Sequence, residues 1–564
     1  MRIAALALSI ASLAPAAAAQ QPPTSAADVT EEFRGLPALF DRVLAPDDPA
    51  GSEPRTLILL LDPTASLAAT GFVDALSAAL ERNAALLGRV KIGVQRAGAE
   101  KPLLAPSDDA RAILGALRTA FATTSDKIEN VYAGLRDAAL SLAARAGEHA
   151  VLLATLDNGD AEDDLEATIA RLTGTKTRVF VFAGEAFLAD TYWVNEVVPH
   201  EHPKETQLSG GDSAVIDVPF NWLFQLSSAN EMSPSGFACY GLNRIAAGSG
   251  GKVFVYTPSN AGTHSCAIWG SCLFCTNDHA APDETYFRAR LAPFAPSVAA
   301  RPEVLTVLGE DSAFKAVLVA WRAALQVGLL RGGAPKAGHA TSVDSNAFGR
   351  GNLLLTGPID RNAERAESSI KELDRIVTAF EADLKRVDAS KSSARSRAIA
   401  DYTRLMLQVT KTNLVTYAGW CREVAPRWFD KDPEVPAPPE LPGIRGEARG
   451  VTIGWTNRSL CHGAKAFLEV ELPGGERLKK ELGQLDALMG PYTERYAHTP
   501  YLVALHRQGI ATFHQTGAVT NVAQRPKSRN GPELGPSTGA PARPARTGGS
   551  TAGTGPATGG GGGG

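Results

Sequence analysis

The sequence predicts an α/β fold: a doubly wound, mostly parallel sheet followed by a helical region and a small C-terminal domain. Three observations predict it. Thr56-Leu57-Ile58-Leu59-Leu60-Leu61 is a continuous apolar run between Pro54 and Pro63, the form of a strand buried on both faces. Runs of this kind alternate with amphipathic helical patterns as far as residue 258, an alternation that lays helices on both faces of a parallel sheet. Beyond residue 281 the pattern changes to long apolar stripes at spacings of three and four, which belong to packed helices.

Taken in order, residues 1–19 have the form of a secretory signal peptide. Met1 and Arg2 supply a positive start, Ile3 to Leu13 is uncharged and apolar, and Ala17-Ala18-Ala19 before Gln20 supplies the small residues that signal peptidase requires. The run is shorter than the ~20 residues that span a bilayer, and no later stretch is long and uncharged enough to do so. The expectation is an exported bacterial protein, periplasmic or extracellular, with no transmembrane anchor. Residues 20–53 read as a linker and helix ahead of the first domain.

That domain occupies residues 54–258. Asp62 ends the first strand, and Phe72, Leu76, Ala79, Leu80 and Leu87 follow at helical spacing. Val90 to Val94 is a short strand, Asp108 to Phe121 and Asn130 to Ala146 are amphipathic helices, and Ala150 to Leu156 is a second apolar strand. Asp163 to Leu172 reads as a helix with an acidic start and Arg178 to Ala183 as a strand. Residues 186–236 read as an insertion. In a sheet of this type ligands sit outside the carboxyl ends of the strands.

Residues 259–280 form a Cys-rich loop and residues 281–432 a helical region, broken at Pro293, Pro296 and Pro302. Ile370, Leu373, Ile376, Phe380, Leu384 and Val387 make one apolar stripe. Tyr402, Leu405, Met406, Val409 and Tyr417 make another, and the pair predicts an antiparallel helical hairpin. Five prolines between Pro433 and Pro442 mark a linker over 433–446. A small domain over 447–524 has strand-like Val451 to Trp455 and helices over Glu476 to Met489 and near Tyr501 to Arg507. Residues 525–564, dominated by Pro, Gly, Ser, Thr and Ala, read as a disordered tail that buries too little apolar surface to offset its ordering entropy.

The net charge of −4 comes from interspersed acids and bases with no basic block, which argues against a nucleic-acid partner. Of the six cysteines, Cys239, Cys266, Cys272 and Cys275 lie close together while Cys421 and Cys461 flank the Pro-rich stretch. An even count in an exported chain favours disulfides, pairing within the first four and between Cys421 and Cys461. The competing reading is a zinc site from His264, Cys266, Cys272, Cys275 and His279, and Cys272-Leu273-Phe274-Cys275 also has the spacing of a redox dithiol.

Three loops at the carboxyl edge of the predicted sheet carry a family resemblance. Asp62-Pro63-Thr64-Ala65-Ser66 looks like a D-x-S-x-S signature with Thr as the first hydroxyl. Glu129-Asn130-Val131-Tyr132-Ala133-Gly134-Leu135 looks like T-N-x-x-x-x-L with Glu129 in place of Thr, and Leu152 to Gly159 looks like apolar residues followed by T-D-G, the acid arriving one place late at Asp157 or at Asp160. With Gly241 to Ala246 and Gly250-Gly251-Lys252-Val253-Phe254 as a closing helix, glycine turn and strand, the chain over residues 54–258 resembles the von Willebrand factor A domain family. The resemblance implies a metal-ion-dependent adhesion site formed by Asp62, Thr64, Ser66, Glu129 and Asp157. Oxygen donors of that kind suit Mg2+, Mn2+ or Ca2+, completed by water and a carboxylate of a protein ligand. It implies a binding or scaffolding protein of the envelope rather than an enzyme.

Two other outcomes stand beside it: a secreted metal-dependent hydrolase using the Asp62 site, in which metal activates water, and a structural envelope protein with an inert fold. Other enzymatic features are incomplete. Cys461 and His462 are adjacent, His200-Glu201-His202 lacks the helical H-E-x-x-H spacing, and Gly210-Gly211-Asp212-Ser213 lacks the nucleophile elbow G-x-S-x-G.

Overall fold

A computed structural model describes residues 24–45, 54–83, 87–99, 101–122, 130–156, 164–186, 188, 211–215, 235–256, 291–329, 356–424, 444–445, 452–453, 474–497 and 499–502. Residues 1–19, expected to be a signal peptide, lie outside these residues, as do the Cys-rich loop, most of the Pro-rich linker and the tail.

The fold is α/β, as predicted. Seven strands form one sheet: β1 (Thr30–Glu31), β2 (Arg55–Leu61), β3 (Val90–Arg96), β4 (Leu104–Ser107), β5 (Glu148–Thr155), β6 (Thr177–Gly184) and β7 (Lys252–Tyr256). Their order is β1-β7-β6-β5-β2-β3-β4. Every pairing is parallel except β3 with β4 at one edge.

Strand alternation divides the sheet's side chains between two cores. Ile58 and Leu60 of β2, Val151 and Leu153 of β5 and Val179 and Val181 of β6 enter one. Leu57, Leu59 and Leu61, Leu152 and Ala154, and Phe180 and Phe182 enter the other. Both faces of these strands are apolar because both are covered. The first core is closed by α6 (Val131–Ala143), α7 (Leu165–Gly174) and α8 (Tyr240–Ser249), the second by α2 (Leu36–Leu44), α4 (Phe72–Arg82) and α5 (Ala110–Phe121). Each fully covered Leu or Ile contributes roughly 1.5–3 kcal/mol relative to exposure. Two short helices complete this part, α1 (Ala26–Val29) and α3 (Ala65–Ala69).

Residues ahead of β2 are built into the sheet layer. β1 pairs with β7, with Thr30 opposite Val253, and Phe33, Leu39, Phe40 and Val43 are buried in the second core. Arg55 ties α2 down. The side chain is buried, its guanidinium donates to the carbonyls of Val43 and Ala45, and it lies 5.6 Å from the centre of the Phe180 ring.

The closing helix, turn and strand are formed as the sequence suggests. Gly250 caps α8 in the left-handed conformation at φ 72°, where glycine alone avoids a steric penalty. At Gly251 a Cβ would stand 1.9 Å from the Val179 carbonyl oxygen, so β7 reaches β6 only without a side chain there.

Among the described residues five α-helices follow: α9 (Arg301–Glu310), α10 (Ser312–Gln326), α11 (Thr356–Leu384), α12 (Ala394–Gly419) and α13 (Gly475–Arg495). The predicted break at Pro302 is where α9 begins. Pro302 lies in the first turn of α9, where its missing N–H forfeits no helical hydrogen bond. The break between α9 and α10 falls at Asp311, whose carboxylate caps α10 by accepting from the Ala313 and Phe314 amides at 2.9 and 3.1 Å. The hairpin prediction holds. Arg404 of α12 pairs with Glu381 of α11, and Lys411 with Asp374; partner numbers fall as α12 advances, so the helices are antiparallel. Ile370, Leu373, Ile376 and Phe380 meet Tyr402, Leu405, Met406, Val409 and Tyr417 in one core, which α10 and α13 close. Farther along, Ile444–Arg445 and Thr452–Ile453 pair antiparallel.

Candidate functional site

A doubly wound sheet has one place where the chain reverses its direction of travel across the strands. Here it lies between β2 and β5. From β2 the chain moves outward to β3 and β4, then returns past β2 to β5 and proceeds through β6 to β7. Helices on either side of such a point leave a crevice at the strands' carboxyl ends.

Asp62 and Thr155 stand at that point. Leu61 is aligned with Ala154, and the Asp62 amide continues the ladder by donating to the Ala154 carbonyl at 3.0 Å. The next residue of β5 is therefore Thr155, whose Oγ1 donates to Asp62 Oδ2 at 2.8 Å. Both side chains are buried, Asp62 at 1% exposure and Thr155 at 0%. A carboxyl group so shielded requires polar compensation, and the Thr155 hydroxyl supplies part of it. Thr155 is the Thr of the T-D-G-like loop in the sequence but is not among the expected site residues. Its signal was the register, since the last residue of β5 must face the first residue after β2.

Thr64 is buried and caps α3: its Oγ1 accepts from the Leu67 amide at 3.2 Å. The Thr64 amide in turn donates to the Asp62 carbonyl at 2.8 Å, a tight turn that folds the loop back over the strand end. Ser66 lies in the first turn of α3. Asp62, Thr64 and Ser66 thus share one strand-to-helix turn.

Glu129, Asp157 and Asp160 lie outside the described residues; Asn130 and Leu156 are the described residues beside Glu129 and Asp157. Asn130, next to Glu129, caps α6 by accepting from the Ala133 amide at 2.8 Å. One turn on, Gly134 lets α6 close on β2: a Cβ there would stand 3.2 Å from a Leu60 methyl. Leu156, half-buried, carries the chain from Thr155 to Asp157. Among the described residues no group of three or more His, Cys, Asp or Glu side chains is placed to hold a metal ion.

The predicted insertion starts and finishes at this edge. Its ends are bonded together after β6, where the Ala186 amide donates to the Phe237 carbonyl and the Ser235 amide to the Ala186 carbonyl, each at 2.8 Å. Within it Asp212 has a structural part. It is buried and receives two hydrogen bonds from Arg395 of α12, at 2.8 and 2.9 Å. The Gly210-to-Ser213 stretch therefore holds an inter-element ion pair. His200-Glu201-His202 and Cys461-His462 lie outside the described residues.

Of the disulfide candidates, Cys239 and Cys421 are described, both buried, Cys239 at the start of α8 and Cys421 in the π-turn after α12. They belong to separate cores and are not bonded to one another. Cys266, Cys272, Cys275 and Cys461, with His264 and His279, lie outside the described residues. Among the described residues no helix is long and apolar enough to cross a membrane.

No protein-family model matches the chain, and no curated protein matches it. Among solved structures the chain is similar to the conserved hypothetical protein BatB from Bacteroides thetaiotaomicron, with 14% identity over 38% of this chain and 95% of that one and a TM-score of 0.23.

Proposed function

We propose that the chain is an exported binding or scaffolding protein whose sheet is a von Willebrand factor A-like module, and that it engages a protein ligand at the carboxyl edge of that sheet. One observation carries the reading: a buried carboxylate, Asp62, and two hydroxyl residues, Thr64 and Thr155, stand at the reversal point between β2 and β5, where this architecture places ligands.

Carboxylate and hydroxyl oxygens are hard donors that suit Mg2+, Mn2+ or Ca2+. In this reading Asp62, Thr64 and Ser66 hold the cation, with Glu129 and Asp157 or Asp160 completing the set from the two neighbouring loops. The cation would supply an open coordination position for a carboxylate of the ligand. Glu129, standing where the family signature has Thr, adds negative charge of its own. The site then holds its cation more tightly and calls on the ligand for less.

Calorimetric titration of the full chain with each of the three cations tests this, repeated with Asp62→Asn and Asp62→Ala. Saturable binding that both substitutions abolish, in variants whose thermal unfolding shows them folded, is the expected result. Absence of binding, or binding indifferent to Asp62, would overturn the adhesion-site reading.

A further inference from the structure

A second concave site lies in the helical part. A cavity of about 650 Å3 opens between the end of α11, the start of α12 and the end of α13, within the roughly 300–1,000 Å3 that small-molecule sites occupy. Helical spacing builds its walls. Arg397, Asp401 and Arg404 of α12 fall on one face, and Glu381, Leu384 and Lys385 of α11 on another. Phe294 and Tyr496 add aromatic surface, their ring centres 5.9 Å apart.

The charges are not balanced. Arg404 is bidentate to Glu381. Asp401 Oδ2 accepts from Arg495 at 2.7 Å and from the Tyr496 hydroxyl at 2.6 Å. These contacts occupy both acids of the cavity wall. Lys385 and Arg397 remain, and among the described residues neither has a carboxylate partner. Arg397 is nevertheless held in place, because one end of its fork donates to the carbonyls of Ala389 and Ser392 at 2.9 and 2.7 Å. A pre-positioned guanidinium and a lysine on an apolar, aromatic-walled cavity suit a ligand with an anionic head and an apolar body.

We propose that this cavity binds an amphipathic organic anion, a carboxylate or phosphate monoester on an apolar or aromatic body, with Arg397 and Lys385 taking the anionic group and Phe294, Leu384 and Tyr496 the body. The site is separate from the sheet edge that bears Asp62. The surrounding ion pairs narrow the choice: with Glu381 and Asp401 already engaged, the walls offer little to a cationic ligand.

Calorimetry on the full chain with 2-naphthoate, 2-naphthyl phosphate and the neutral 2-naphthol tests it. One or both anions should bind saturably at one site per chain, about 10-fold or more tighter than the naphthol, the scale of one charge-assisted hydrogen bond. The double variant Arg397→Gln/Lys385→Gln should lose that preference. Because Arg397 also bonds the Ala389 and Ser392 carbonyls, its thermal midpoint is expected to fall, and binding is compared well below that midpoint. The single variant Lys385→Gln, whose exposed side chain leaves the fold untouched, should lose part of the preference. Which anion binds tells a carboxylate ligand from a phosphorylated one. Binding of neither anion, equal affinity for the naphthol, or a preference that survives in the double variant would overturn the proposal. Asp62→Asn, carried as a control, should leave naphthoate binding unchanged.

Discussion

Thr155 and Asp62 join the two strands that flank the reversal point of the sheet, through a 2.8 Å hydrogen bond between side chains almost wholly shielded from solvent. Thr155→Val keeps the shape and removes the donor. Loss of a hydrogen bond to a buried charged group is expected to cost about 1.5–3 kcal/mol, read as a lower urea midpoint at constant slope. A midpoint that does not move would show that other groups satisfy Asp62 without Thr155.

The ion pair between Asp212 and Arg395, at 2% and 7% exposure, ties the region ahead of α8 to the start of α12. Asp212→Ala strands a buried guanidinium and is expected to cost about 3–5 kcal/mol. Combining Asp212→Leu with Arg395→Met removes both charges and should recover much of that loss. A double-mutant cycle checks it; simple additivity of the two single costs would mean that the pair does not act as a unit.

Two adjacent glycines should respond differently to alanine. At Gly250 the space is open and only the left-handed backbone resists, so Gly250→Ala should cost roughly 1–2 kcal/mol. At Gly251 the new methyl would meet the Val179 carbonyl at 1.9 Å, and β6 and β7 must part to admit it. Gly251→Ala should therefore lower the thermal midpoint clearly more than Gly250→Ala; the reverse order would place the strain in the turn instead.

Alkaline pH should unfold the helical part. Burial first, then the Asp401 charge and hydrogen bond, push the Tyr496 phenol far up, and burial does the same to Tyr492. Burial works against the Lys411 ammonium, but Asp374 and Glu481 outweigh it and hold its pKa above the ordinary lysine value. In each case the folded protein keeps a proton that the unfolded chain releases. These contributions are complete below about pH 10 and fade above it. The expected observation is a thermal midpoint that falls from about pH 10 upward, less steeply in Tyr496→Phe, with the late tyrosine absorbance at 295 nm appearing only on unfolding.

The parts of this fold that were legible in the sequence are those buried on both faces. β2, β5 and β6 announce themselves as unbroken apolar runs, and the α11 and α12 stripes as periodic ones, because in each the pattern is dictated by what covers the element. β4, with Pro106 and one half-buried leucine, and β1, a Thr-Glu pair, carry no such pattern and are recruited by their neighbours. The site divides in the same way. Asp62 was visible as an acid ending an apolar strand. Thr155 was visible as the Thr of the T-D-G-like loop, but its bond to Asp62 was not, because that depends on which strand lies beside it. Arg55, at the start of β2, is a buried anchor, a role illegible in the sequence because it depends on α2 returning its carbonyls to that spot.

Those two short strands have a consequence for how the molecule meets others of its kind. An open sheet ends in rows of unsatisfied amides and carbonyls that can template the addition of another chain. Here one border is a two-residue strand, and the other is a four-residue strand turned antiparallel and carrying Pro106, which has no amide to donate. Neither border offers a ladder long enough to recruit a stranger. The sheet is thereby defended against polymerising through its edges, and contacts with other molecules fall to the loops and helices that cover it.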